Sequence, residues 1–125
     1  MPRAPKPTDR ELQILQVLWR DGPSTVRQVR DTLMQEGKGD LGYTTVLTLL
    51  QIMTDKFLVH RDETARTHVY AAAAERSDVE NTILTDVIDR LFQGSALSLA
   101  SRAVELKLPP KDRKRLLELL EEMEP

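Results

Sequence analysis

The stretch from Gly42 to Lys56 constrains the fold more than any other part of the sequence. At about 100° per residue, its apolar side chains fall into one stripe, as in a helix with one buried side. The stripe consists of Val46, Leu49, Leu50 and Met53. The opposite side carries hydroxyls, an amide and a carboxylate where a surface helix normally carries Lys, Glu and Arg, namely Thr44, Thr48, Gln51 and Asp55, flanked by Thr45 and Ile52. The stretch therefore predicts a helix with an unusual outer face.

Two interpretations of that outer face follow from the residues alone. Short hydroxyl and amide side chains, with Tyr43 at the N-terminal end, suit close approach to phosphates and base edges in a DNA major groove. Alternatively, Thr44 and Thr45 only cap a buried helix.

The preceding residues predict two more short helices. Thr8 to Glu11 forms a capping box, and the helix that it opens ends at Asp21-Gly22-Pro23. Ser24 is the expected N-cap of the second helix, which closes at Gly37-Lys38-Gly39. Three short amphipathic helices with tight breaks are typical of a helix-turn-helix.

A change of periodicity after Lys56 predicts a β-hairpin. Residues 57–61 and 67–71 are rich in β-branched and aromatic side chains, and a polar loop separates them. A hairpin in this position is a wing, and Arg61 and Arg66 near its tip are placed to follow a phosphate backbone. The alternative is an ordinary solvated hairpin. His60 and His68 suggest a metal pair only weakly, because strand histidines are more often polar surface.

Composition excludes several classes of protein. The chain has 125 residues, 40% of them hydrophobic, so it forms one domain or one domain with a small appendage. With no cysteine and two histidines, no metal site or cofactor is expected. The sequence lacks a run of about 18 apolar residues and a signal segment, which predicts a cytoplasmic protein without membrane insertion. Neither a nucleophile with a base nor a phosphate-binding glycine loop is found, so no enzyme is predicted.

The second half of the chain predicts three helices. Ser77 to Glu80 resembles a capping box, Gly94 ends the first of these helices, Ser95 caps the next, and Pro109-Pro110 precedes the last. Helices of this size cannot bury enough apolar surface alone, so we expect them to form a homodimer interface. Packing against the wing domain of the same chain is the alternative. The expected dimerisation residues are Val79, Ile83, Val87, Leu91, Leu97, Val104, Leu116, Leu119 and Leu120.

Five segments in order resemble the penicillinase repressor family, whose members are winged-helix transcriptional repressors. The Tyr43 to Thr48 run, Tyr-Thr-Thr-Val-Leu-Thr, is the most specific of them. The matching segments are residues 8–19, Gly22-Pro23 with residues 25–29, residues 42–48, residues 68–70 and residues 91–95.

The resemblance implies a mainly α fold with a small β-hairpin wing: an N-terminal winged helix-turn-helix domain and a C-terminal three-helix dimerisation domain. We place a flexible arm at residues 1–7, the winged helix at 8–73 and the dimerisation domain at 74–125. A homodimer would then bind an inverted-repeat DNA operator. The alternative function is a winged-helix module that binds another protein. The expected DNA-binding residues are Tyr43, Thr44, Thr45, Thr48, Gln51, Arg27, Lys38, Lys56, Arg61 and Arg66.

Departures from the family pattern also carry information. Lys56-Phe57 stands where the family usually has Lys-Gly, Ala65 where the wing tip commonly has Gly, and Ile52 where Arg or Lys is common. The copper-responsive branch carries paired C-terminal cysteines, which this chain lacks.

The resemblance further implies a route of release from DNA. In antibiotic-responsive members, a membrane-bound sensor metalloprotease triggers cleavage of the repressor at an Asn-Phe bond in the C-terminal region. Arg102-Ala103 occupies the corresponding place here. Proteolysis at this place, or alternatively a ligand or a protein partner, would relieve repression.

Overall fold

The computed structural model describes residues 5–123. Six α-helices and a three-stranded sheet occur in these residues, as follows: α1 (Asp9–Asp21), β1 (Ser24–Thr25), α2 (Val26–Gln35), α3 (Tyr43–Asp55), β2 (Val59–Asp62), β3 (Val69–Ala72), α4 (Arg76–Leu91), α5 (Ala96–Lys107), a 3₁₀ turn (Pro110–Asp112) and α6 (Arg113–Glu122). The predicted arm lies partly outside the described residues, and its last residue, Pro7, is buried.

The predicted capping box at the start of α1 is confirmed. The Thr8 hydroxyl accepts from the backbone N–H of Glu11, and the Glu11 carboxylate accepts from the backbone N–H of Thr8 at 2.8 Å. Both exchanges satisfy amides that have no partner inside the helix. Ile14 and Leu15 on the inner side of α1 are fully buried.

The expected N-cap of α2 was wrong by one residue. Thr25 caps the helix, because its hydroxyl accepts from the Gln28 N–H while the Gln28 side chain accepts from the Thr25 N–H. Ser24 lies instead in β1, where it pairs with Tyr70. This strand has only two residues and carries no periodicity that a sequence pattern could reveal.

Helix α3 has the predicted bounds to within one residue at each end. Val46, Leu50 and Met53 are fully buried, and Leu49 is partly buried. The N-cap is Gly42, which has no side chain to offer. The interpretation that Thr44 and Thr45 serve only as caps was wrong, since both stand inside the helix and are exposed.

The predicted hairpin is present and is joined by β1 in an antiparallel sheet of order β1-β3-β2. Strand β3 is central, and its Tyr70 is fully buried. His60 pairs with Ala71, so the two histidines do not oppose each other in the strand register.

Helix α4 corrects the predicted domain boundary. Its first residues pack with the winged helix, because Val79 is 1% exposed in the hydrophobic core and Ile83 packs against that core. Trp19 Nε1 also donates to the carbonyl of Ala74 at 3.0 Å. The first compact unit therefore ends at Leu84 and not at residue 73.

A dimerisation role for Val79 was wrong, since its side chain is already buried within its own chain. The side chain of Ile83 is partly buried against the same core. Ser77 does not cap α4, because the helix already begins at Arg76.

The second compact unit begins at Thr85 and contains the last part of α4 together with the whole of α5 and α6. Ser95 caps α5 as predicted, and its hydroxyl accepts from the Ser98 N–H at 3.1 Å. In the described part of this unit, neither α5 nor α6 contains a buried residue. Large apolar side chains therefore face outward, and Leu97 is 77% exposed.

Candidate nucleic-acid interface

The outer face of α3 presents polar side chains to solvent. Tyr43 is half-exposed at the first turn, and Thr44, Thr45, Thr48 and Gln51 are exposed along the helix. Among the residues that the structure describes, no hydrogen bond engages the hydroxyls of these three threonines. Thr54 differs, because its hydroxyl donates to the Leu50 carbonyl at 2.8 Å. The predicted contact residues of α3 are thus free to bind another molecule.

A cleft next to this face brings together residues from α2, α3 and the wing. We call it the α2–wing cleft; it encloses about 310 Å³. Val26, Leu47 and the buried Tyr70 are part of its lining. Its polar lining consists of Thr25, Arg27, Tyr43, Arg66, Thr67 and His68. Arg27 and Arg66, two of the predicted DNA-binding cations, therefore line the same cleft as Tyr43.

The short strand β1 explains how the cleft forms. Thr25 pairs with Val69, so the residues just before β3 lie beside the first turn of α2. Thr67 and His68 reach the cleft through this pairing. They are absent from the predicted contact residues because β1 gave no sequence signal.

Lys38 is exposed in the loop that precedes α3, and a residue of α1 holds that loop. Arg10 Nη1 donates to the Lys38 carbonyl at 2.5 Å. The neighbouring Gly39 has φ +113°, and a Cβ there would lie 3.1 Å from Arg10 Nη1. A left-handed backbone and a close guanidinium together favour glycine at this position. The sequence did not identify Arg10 as a support for Lys38, since the two are far apart along the chain.

Lys56 was predicted as a phosphate contact, and the structure gives it another partner. Its Nζ lies 2.9 Å from Oε1 and 3.1 Å from Oε2 of the buried Glu11. A phosphate would have to compete with this carboxylate. Burial by itself raises the pKa of Glu11, but hydrogen bonds from the Thr8 backbone and from Lys56 outweigh it and leave the pKa below its usual value. Lys56 is therefore better described as a structural partner of Glu11.

The wing carries acidic as well as basic groups. Arg61 Nη2 lies 2.5 Å from Oε1 of Glu63, so the charge of Arg61 is partly neutralised.

Asp62 organises the turn of the wing, because its carboxylate accepts from the Thr64 hydroxyl at 2.7 Å and from the Thr64 N–H at 2.9 Å. Both bonds lower the pKa of Asp62 below its ordinary value, and the bond from the Thr64 hydroxyl has the larger effect. Ala65 keeps a negative φ, so this wing turns without a glycine.

Phe57 occupies the left-handed position that ends α3. Its φ is +63°, its N–H donates to the Thr54 carbonyl at 3.1 Å, and the Leu58 N–H donates to the Met53 carbonyl at 2.9 Å. This pair of bonds is the Schellman motif, in which glycine is the usual residue. The side chain of Phe57 is 80% exposed.

In the described part of the chain, no cluster of three or more His, Cys, Asp or Glu residues could hold a metal ion. None of the described helices is both long and apolar enough to cross a membrane.

The sequence is similar to those of proteins that are named as transcriptional regulators. The transcriptional regulators BlaI of two Mycobacterium tuberculosis strains are each 37% identical to this chain over 81 residues, which cover 64% of this chain and 57% of the relative. The matched part of this chain thus spans little more than half the length of these relatives.

Solved structures show the same fold. The solution structure of the Bacillus licheniformis BlaI monomeric form in complex with the blaP half-operator matches with a TM-score of 0.52 and 23% identity, covering 62% of this chain and 93% of that one. The RosR structure from H. salinarum matches with a TM-score of 0.54 and 18% identity over 95% and 94% of the two chains. A family model described as penicillinase repressor matches residues 7–122. The chain therefore belongs to the penicillinase repressor family.

Proposed function

We propose that the protein binds DNA as a transcriptional repressor, with α3 in the major groove of its operator. The observation that carries this proposal is the exposed row of hydroxyl and amide groups on α3, which no described residue engages. Such groups can bond to base edges and phosphates. The similarity to BlaI, solved in complex with a half-operator, supports the same function.

Arg27 and Arg66 in the α2–wing cleft, and Lys38 beside α3, provide the positive charge that phosphate binding needs. Because the net charge of the whole chain is −2, attraction to DNA depends on where these positive side chains lie.

Selection of bound fragments from genomic DNA, followed by titration of the recovered site, tests the proposal. We expect one preferred sequence, with log affinity that falls linearly as log salt concentration rises. Random duplex serves as the control and should bind more weakly. Equal affinity for every duplex with no salt dependence would contradict the proposal and favour a module that binds another protein.

We propose further that the repressor is a homodimer held by the second compact unit and that it binds an inverted repeat. Leu91, Leu97 and Leu120 are exposed in that unit, and Val104 and Leu116 line a groove of about 360 Å³. Exposed apolar surface of this kind marks association sites. Val87 and Leu119 complete the proposed interface.

Sedimentation of the full chain, of a Leu97→Glu variant and of a chain ending at Leu84 tests the dimer. The full chain should sediment as a dimer and the two others as monomers that bind the operator more weakly, because a linked second site raises the effective concentration. Arg90→Gln, at an exposed charged position of the same unit, is the control and should remain dimeric. A truncated chain that stayed dimeric would move the interface into the winged helix.

Finally, we propose that proteolysis near Arg102-Ala103 releases the operator, with a membrane-bound sensor metalloprotease as the partner that initiates it. Both residues are exposed on α5, and Arg102 pairs with Glu105 at 3.0 Å. Because a protease binds extended backbone, α5 must first open locally. Cleavage would separate Val104 and Leu116 from Leu97 and thereby disrupt the proposed dimer interface. An immunoblot of induced cells tests this: intact protein at a derepressed promoter would eliminate proteolysis and point to a ligand or partner.

A further inference from the structure

The α2–wing cleft has the chemistry of an anion site. Arg27 enters it from α2 and Arg66 from the wing, while Thr67 and His68 add further polar groups. An adjoining recess shares Thr25, Arg27, Tyr43 and Thr67 with the cleft and adds Arg30. Among the described residues that line either recess, none is Asp or Glu. This local excess of positive charge contrasts with the net charge of −2 for the whole chain.

Some hydrogen-bond donors in the cleft and the adjoining recess lack partners among the residues that the structure describes. The Nε of Arg30 is buried without a hydrogen bond to any described residue. The first backbone N–H groups of α2 have no carbonyl partner inside the helix. The Thr25 hydroxyl accepts from only one of them, the N–H of Gln28. Unsatisfied donors beside guanidinium groups favour a compact anion with several acceptor oxygens.

The position of Tyr43 relates the cleft to the α3 face. Tyr43 lines the cleft and begins the helix that carries Thr44 and Thr48. An anion held here would lie at the N-terminal end of the row of α3 contacts. A phosphodiester in the backbone of the bound DNA has the required charge and oxygens at that place.

We propose that the α2–wing cleft holds one phosphodiester group of the operator backbone, shared between Arg27 and Arg66. The inference rests on the proposed DNA-binding function and adds to it a single shared site, contacted also by Thr67 and His68. One phosphate held by two arginines differs measurably from two phosphates held by one arginine each. The salt dependence of DNA binding counts the phosphates that a protein neutralises, with a slope of about 0.9 for each.

A double-mutant cycle on the full chain tests the shared phosphate. Arg27→Gln and Arg66→Gln should each weaken binding to random duplex about tenfold. The double variant should be weaker than either one by much less than a further factor of about ten, and its salt slope should flatten by about one unit and not two. Additive losses with a slope change of about two units would overturn the shared site.

Arg90→Gln is the matched control, because it removes one positive charge from an exposed position in the second unit. It should leave the salt slope unchanged. Thermal unfolding of each variant verifies the fold, and both cleft arginines lie at exposed positions where substitution is tolerated. If the wild type binds DNA with a steep slope that the double variant does not change, the cleft proposal fails while the proposed function stands. A wild type with no salt-dependent DNA binding would remove both.

Amide chemical shifts separate a DNA phosphate from a free anion. Addition of random duplex should shift the Thr67 and His68 signals at concentrations where inorganic phosphate leaves them unchanged. Saturation by inorganic phosphate at lower concentration than by duplex would show a site for a free anion and would overturn the proposal.

Discussion

Lys56 Nζ lies 2.9 Å from Oε1 of Glu11, a residue that is 1% exposed. The pair joins the first turn of α1 to the C-cap of α3. Because a buried carboxylate without its cation is costly, this contact contributes to the position of the helix that we propose to bind DNA.

Glu11→Gln should lower the free energy of unfolding by about 1–3 kcal/mol, less than for a fully buried pair because Lys56 is partly exposed. The pKa of Glu11 is depressed in the folded protein, so its contribution is complete above the ordinary value of 4.5 and is lost as the pH falls through the lower folded value. Urea denaturation between pH 7 and pH 3 measures this, and the variant should lose that part of the pH dependence. Glu105→Gln, at an exposed ion pair, is the control; equal effects of both substitutions would refute the role of Glu11.

Phe57→Gly should stabilise the protein by about 0.5–1 kcal/mol. A left-handed φ costs a residue with a Cβ about 1–2 kcal/mol, and part of the gain is offset by the greater freedom of glycine in the unfolded chain. The exposed ring contributes little burial. Phe57→Ala keeps the strain and should show no such gain. Urea denaturation of the wild type and the two variants measures the change in stability. Equal stabilisation by alanine and glycine would show that the aromatic side chain, and not the left-handed backbone, is the cause.

Thr48→Ala should weaken binding to the selected operator by about 1–3 kcal/mol with little change on random duplex, if the hydroxyl contacts a base. Thr54→Ala is a control from the same helix, because the Thr54 hydroxyl already donates to the Leu50 carbonyl. Fluorescence anisotropy with both duplexes gives the two affinities. A Thr48 variant that loses affinity equally on both would reject base readout.

Glu63→Gln should tighten binding to operator and random duplex at low salt. The substitution removes a carboxylate that lies 2.5 Å from Arg61 and frees this guanidinium for a phosphate. The salt slope should become steeper by up to about one unit. Arg61→Gln is the comparison and should remove the benefit when combined with Glu63→Gln. Unchanged affinity in the single variant would show that the wing tip lies away from the DNA.

Lys56→Ala separates the structural role of this lysine from the phosphate contact that the sequence suggested. The variant should unfold at lower urea concentration while its salt slope on random duplex stays unchanged. A flattened slope with unaltered stability would restore the phosphate contact.

The sequence alone determined the features that depend on neighbours a few positions apart. The capping box of Thr8 and Glu11, the buried stripe and exposed face of α3, and the Ser95 cap all arise from bonds or periodicities within one or two turns. The change of periodicity after Lys56 predicted the hairpin wing, and the family resemblance, through the place where glycine is usual, pointed to the unusual turn at Phe57.

Only the tertiary structure decided which side chains meet across long stretches of chain. Glu11 and Lys56 are 45 positions apart, and Arg10 and Lys38 are 28 apart. A lysine that pairs with a buried carboxylate has the same local pattern as one that faces solvent. Likewise, Val79 has the same helical spacing whether its stripe packs on its own winged helix or on a partner. Packing selects among these outcomes, because the free energy of burying an apolar or charged group depends on the group that it meets and not on the residues beside it in sequence.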